Sequence, residues 1–235
     1  MGLDIYVGTL TRYYTHNWKT ITQKYAKMTE LEFQKFDDNK ELSIEDTKEF
    51  IMKWRDSIII GLDLDPAPIW NEDYDETPYY TNKLDRIAVD AFMLYIAAKY
   101  LHKEVPTTIE KNINIYEQPI IKDFLKTKGF QLTLFDGSGW WLPIIQPSIF
   151  QYVLPNSKKG YLSSNVLLMA ELKRYNAFEW NADRDTIISW SRIEPYHKED
   201  TIYNTISLAK FAFSILWQAA EFSLEHSVVI VYDYK

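Results

Sequence analysis

Apolar and polar positions alternate at the start of the chain. Leu3, Ile5 and Val7 interleave with Asp4, Tyr6 and Gly8, the two-residue period of a half-buried strand. A polar-aromatic stretch then leads towards Trp18 and predicts a helix. Ser43-Ile44-Glu45-Asp46 has the form of a capping box with Asp in place of Glu. Behind it Ile44, Phe50, Ile51, Trp54, Ile58 and Leu62 recur at helical spacing, so a helix is expected there. Ala88, Ala91, Phe92, Tyr95, Ala98 and Leu101 predict a second amphipathic helix from Asp85, whose small Ala stripe lets another helix approach closely. Pro119 and Gly129 bracket a short third one.

After Gly129 the period changes. Phe130 to Phe135, the turn Asp136-Gly137-Ser138-Gly139, Trp140 to Ile145, and Ile149 to Leu154 predict a three-stranded meander. Ser163 or Ser164 caps a helix running to about Tyr175, Asp183 or Asp185 a shorter one, and Thr201 or Asn204 a long apolar one ending near His226. Val228 to Tyr234 is β-branched and closes the chain as a buried strand. No linker divides residues 1–235. The expected architecture is therefore one α+β domain, a small mixed or antiparallel sheet packed by amphipathic helices. The segment 63–78 contains Pro66, Pro68, Pro78 and six acids, which predicts a solvated loop.

Charge and composition narrow the function. The chain has 33 Asp and Glu against 26 Lys and Arg, a formal charge of −7, which argues against a nucleic-acid coat or a general binder of anionic membranes. No apolar stretch reads as a membrane span. The start Met1-Gly2-Leu3-Asp4 lacks the basic region of a signal peptide, and Tyr6 stands where myristoylation needs Ser or Thr. With no Cys in the chain, disulfides, thiolate metal sites and Cys nucleophiles are excluded. The expected location is the cytoplasm.

The stretch from Arg12 to Lys19 is the densest in chemistry. Arg12 with the Tyr13 and Tyr14 hydroxyls can hold a carboxylate or phosphate, Trp18 adds a wall, and His16 is the candidate catalytic acid or base if the protein is an enzyme. Surface packing of aromatic side chains accounts for the same residues. Lys83, before Asp85, Arg86 and Asp90, faces an anionic ligand or merely decorates a helix cap. The acids of 63–78 lack the spacing of a Ca²⁺ loop. His16, His102, His197 and His226 show no metal-binding pair, and Asp136-Gly137-Ser138-Gly139 is no nucleophile elbow. Neither metal nor cofactor is expected. Trp140, Trp141, Trp180 and Trp190 are read as core.

The opening run Met1-Gly2-Leu3-Asp4-Ile5-Tyr6-Val7-Gly8, continuing through Leu10-Thr11-Arg12-Tyr13-Tyr14, resembles the start of a family of uncharacterised bacterial proteins. Weaker similarity recurs around Pro78 to Asp90 and from Glu171 to Trp190. The resemblance implies a bacterial origin and one full-length domain, and it carries no catalytic role to any residue. Two readings follow. The first is a non-catalytic binding protein that recognises or neutralises a protein partner. The second is a hydrolase or transferase acting on an anionic small molecule or nucleotide in a pocket around Arg12, Tyr14, His16 and Lys83.

Overall fold

The computed structural model describes residues 3–20, 23, 43–127, 133–145, 149–192, 195 and 200–234. Six strands form the main sheet. They are β1 (Leu3–Gly8), β2 (Tyr80–Lys83), β4 (Trp140–Leu142), β5 (Phe150–Val153), β6 (Lys159–Ser164) and β8 (Val229–Tyr234), in the order β2-β1-β8-β4-β6-β5. Neighbours are antiparallel except β4 and β6. A separate pair joins β3 (Thr108–Glu110) to β7 (Ile202–Asn204). The class is α+β, as the sequence implies.

The two faces of the sheet are covered differently. On one, Ile5, Val7, Trp141 and Ile230 meet α3 (Arg86–Tyr100), α5 (Asn165–Glu179) and α7 (Thr205–His226). Ala88, Ala91 and Ala97 of α3 are fully buried, and α3 packs along α7, the close approach that small side chains permit. On the other face Tyr6, Trp140, Leu142, Leu162, Val229 and Val231 meet α1 (Leu10–Tyr14) and α2 (Ile44–Gly61) through Leu10, Ile51, Trp54 and Ile58. Two short α-helices, α4 (Pro119–Leu125) and α6 (Arg184–Ser189), and a single 3-10 turn at Ile115–Glu117 lie among the described residues as well.

Every residue of β1 is buried. The half-buried reading of this strand is corrected: Tyr6 faces a second aromatic core, so polar spacing does not mark a solvent face here. The helix caps fall where local chemistry puts them. Ser43 accepts from the Asp46 amide at 3.1 Å, Ser164 from those of Val166 and Leu167, Asp183 from Thr186 and Asn204 from Ser207.

The meander is also corrected. Thr133 to Phe135 are turn, not strand, and Phe130 to Leu132 lie outside the described residues. The hairpin of this region joins β5 to β6 through a turn in which the Leu154 amide donates to the Lys158 carbonyl at 2.7 Å. Trp140–Leu142 instead lies between β8 and β6, where Trp141 and Leu142 are fully buried on opposite faces. An apolar run of this kind suits a central strand covered on both sides better than a member of an exposed meander.

Candidate functional site

The stretch Arg12 to Trp18 follows the carboxyl end of β1, where the chain enters α1. Thr9 caps that helix, its side chain accepting from the Arg12 amide at 3.3 Å. The remaining donors of the first turn are met from far along the chain. Glu72 Oε1 accepts from the Leu10 amide and from Trp70 Nε1, each at 3.1 Å. Glu72 Oε2 accepts from the Thr11 amide and the Thr11 hydroxyl, each at 3.0 Å. Glu72 is 4% exposed. Burial pushes its pKa above the usual carboxylate value, and the four donors pull it back. Three of the four partners can only donate, and the Thr11 hydroxyl can also turn to accept.

Arg12 reinforces the same junction. Its Nη1 donates to the Thr77 carbonyl and its Nη2 to the Tyr74 carbonyl, while the guanidinium lies 5.0 Å from the centre of the Tyr74 ring and 5.3 Å from that of Tyr79. A planar fork suits two carbonyls and two ring faces at once. Asn71 ties the loop to the start of β8, at the same end of the sheet: its amide donates to the Ser227 carbonyl at 2.8 Å and its Nδ2 to Thr77 Oγ1 at 2.9 Å. The expectation of a solvated loop over 63–78 is thus corrected in part. Trp70, Glu72 and Thr77 are buried fastenings, while other side chains of the loop, before and between them, face water.

Those outward side chains are acidic. Asp63, Asp65, Asp73, Asp75 and Glu76 are exposed, and no Lys or Arg occurs between Asp56 and Asn82. None of the five forms an ion pair among the described residues. Ile69, in the same loop, is 81% exposed.

Tyr13 and Trp18 pack onto the sheet. The Tyr13 hydroxyl donates to Asp233 Oδ1 at 2.8 Å, and its ring stacks on Trp18 with centroids 5.8 Å apart and leans on Tyr6 at 5.3 Å. Asp233 lies opposite Asp4 in register, and Asp4 opposite Lys83. Lys83 therefore shares a row with the Asp233 that Tyr13 touches. Along β2, however, it lies four residues from Tyr79, the ring beside Arg12, a distance of about 13 Å in extended chain. Lys83 Nζ is 3.6 Å from Asp85 Oδ2.

Tyr14 is half-buried near Trp140, and its hydroxyl lies against the Asn156 backbone without a well-formed hydrogen bond. Burial raises the pKa of Tyr13 and of Tyr14 well above the ordinary phenol value, so both stay protonated. His16 is exposed, with φ of 52°, at the left-handed turn that ends α1; its amide donates to the Tyr13 carbonyl, and the Asn17 amide to Arg12. The sequence cluster thus separates into three directions. Arg12 faces the acidic loop, Tyr13 and Trp18 face the sheet, and His16 faces water. Neither of the clefts of 540 and 340 Å³ is lined by Arg12, Tyr14, His16 or Lys83.

Glu72, Glu171 and Asp90 are buried carboxylates that sequence reasoning missed as special. Glu171 accepts from the Thr133 amide at 3.1 Å and from its hydroxyl at 2.8 Å. Burial pushes its pKa up to about 7, with Asp136 also raising it and Arg174 lowering it. Its helical position facing an apolar layer was the available signal. Among the described residues there is no cluster of three or more acids or histidines able to hold a metal, and no helix long and apolar enough to cross a membrane. His197 lies outside the described residues. No family model, curated protein or solved structure matches this chain.

Proposed function

We propose that this is a non-catalytic binding protein of the cytoplasm that recognises or neutralises a basic protein partner through its acidic loop. The observation that carries the reading is the unbalanced charge of Asp63, Asp65, Asp73, Asp75 and Glu76 on a loop fastened from within. Asp73, Asp75 and Glu76 are like charges close together in the chain and repel one another, and an unfastened loop would relax by spreading them apart. The Glu72, Arg12 and Asn71 contacts oppose that relaxation. A surface arranged before encounter loses less conformational freedom on binding, and its field speeds association with a partner of opposite sign. Exposed Ile69 supplies an apolar contact within the charged rim. Nucleic acid carries the wrong charge for this surface.

The enzyme reading has less support. The Arg12 donors are directed to main-chain carbonyls, the Tyr13 phenol to Asp233, and His16 to solvent, so no single space gathers them for chemistry.

The test is capture from a lysate of the source organism, comparing the wild-type bait with one in which the five loop acids are replaced by Asn or Gln. The wild type is expected to retain a basic protein that elutes at about 0.5 M salt, where charge attraction is screened, and the neutralised bait is expected to lose it. Retention of the same proteins by both baits would overturn the proposal.

A further inference from the structure

β5 is one border of the main sheet, bonded to β6 on one side. Two hydrogen bonds fix the phase of the hairpin. The Leu154 amide donates to the Lys158 carbonyl, and on the far side of β6 the Tyr161 carbonyl accepts from the Gly139 amide. Antiparallel alternation therefore turns the main-chain groups of Phe150 and Tyr152 towards β6 and those of Gln151 and Val153 away from it. The outward Val153 carbonyl, which accepts from Trp54 Nε1 at 2.7 Å, agrees with that phase. The outward Gln151 and Val153 amides and the Gln151 carbonyl meet no partner among the described residues.

An open edge is a template for another strand, and proteins guard such edges with charge, proline or a bulge. Residues 149–154, Ile-Phe-Gln-Tyr-Val-Leu, contain neither charge nor proline. Val153 is 48% exposed, and the 540 Å³ cleft separates the strand from Phe50 of α2, itself 49% exposed. The run also matches itself. A two-fold axis through Gln151, perpendicular to the sheet, sets the outward N–H and C=O of Gln151 against the same groups of a second copy and aims the Val153 amide at the carbonyl of that copy's Ile149. Phe150 then lies opposite the second copy's Tyr152, at the pairing site where side chains come closest. Both rings are on the α2 face of the sheet. A chain of net charge −7 repels its own copy, and an uncharged edge is where two copies approach with least opposition.

We propose that two copies of this chain pair antiparallel through β5, joining their six-stranded sheets into one. Main-chain bonds at Gln151 set the register, and the two Phe150–Tyr152 pairs close over it beside the cleft. Three strands lie between β5 and β1, whose far end carries the Glu72 fastening, so the pair presents two acidic loops. The pairing does not depend on what those loops bind.

Sedimentation of the full chain, from about 5 to 500 μM protein, reads the pairing. The wild type is expected to pass from a mass of 27.9 kDa to twice that. Gln151→Lys and Gln151→Glu each set like charges face to face at the axis and are expected to weaken the dimer about tenfold. An equimolar mixture of the two should form mixed dimers in preference to either homodimer, counted by native mass spectrometry. Gln151 is exposed and its amide lies outside the β5–β6 ladder, so thermal unfolding of the dilute variants should match the wild type. Hydrogen exchange at the Gln151 and Val153 amides should slow as the wild-type concentration rises. A wild type that stays monomeric throughout, a dimer that neither variant weakens, or a mixture with no preference for the mixed pair would each overturn the proposal.

Discussion

Replacing Glu72 tests the fastening of the acidic loop at its most concentrated point. In Glu72→Ala the amides of Leu10 and Thr11 and the indole N–H of Trp70 lose their acceptor, in a region where Leu10 and Thr11 are fully buried. The Thr11 hydroxyl can rotate towards another acceptor, so three stranded donors remain. Each costs about 1–3 kcal/mol when left unpaired. Relief of the buried carboxylate's own desolvation offsets part of that, leaving a net loss of about 3–4 kcal/mol. Glu72→Gln should cost less. Its amide oxygen keeps two donors, and if its NH₂ faces Thr11, the Thr11 hydroxyl can turn to accept from it, so only one backbone N–H is stranded, at about 1–2 kcal/mol. Urea unfolding followed by circular dichroism reads both. With a slope of about 2–3 kcal/mol/M, the alanine variant shifts the midpoint by roughly 1–2 M and the glutamine variant by about half of that. A midpoint shift under about 0.2 M for Glu72→Ala would refute the reasoning.

Two further outcomes follow from the same geometry. Glu171 has a folded-state pKa raised to about 7 by burial, above its unfolded value near 4.5. Its stabilisation is full below the unfolded value and is lost as pH rises through 7, on the order of 3 kcal/mol in all; the stability difference between wild type and Glu171→Gln measured from pH 4.5 to 8 should change by that amount, and a flat difference would contradict it. Arg12→Lys keeps the charge but cannot span the Thr77 and Tyr74 carbonyls. It should cost about 1–2 kcal/mol and speed amide exchange of residues 73–77, whereas unchanged exchange would show that the guanidinium does not hold the loop.

The helices were legible because their ends are written locally. Ser43, Ser164, Asp183 and Asn204 each cap a helix through amides two or three residues on. The sheet was legible only in its apolar runs. Lys159–Ser164 has little apolar alternation and becomes a strand by pairing with β5 on one side and in parallel with Trp140–Leu142 on the other, the second a partner that local pattern does not specify. The candidate site misled for a similar reason. Arg12 next to two tyrosines has the composition of an anion clamp, but its acceptors are carbonyls 62 and 65 residues away. Nothing in the spelling of the acidic segment distinguishes Glu72, which turns inward, from the acids around it. The turn at 133–137 likewise depends on Glu171, which is 38 residues distant.

The central claim is that the acidic loop is an arranged docking surface, and the association rate of a captured partner tests it most directly. Measured by stopped flow against the wild type, that rate should fall steeply as salt rises. Against the variant with Asp63, Asp65, Asp73, Asp75 and Glu76 neutralised it should be at least about tenfold slower at low salt and nearly independent of salt. Equal rates and equal salt dependence for the two proteins would contradict the account.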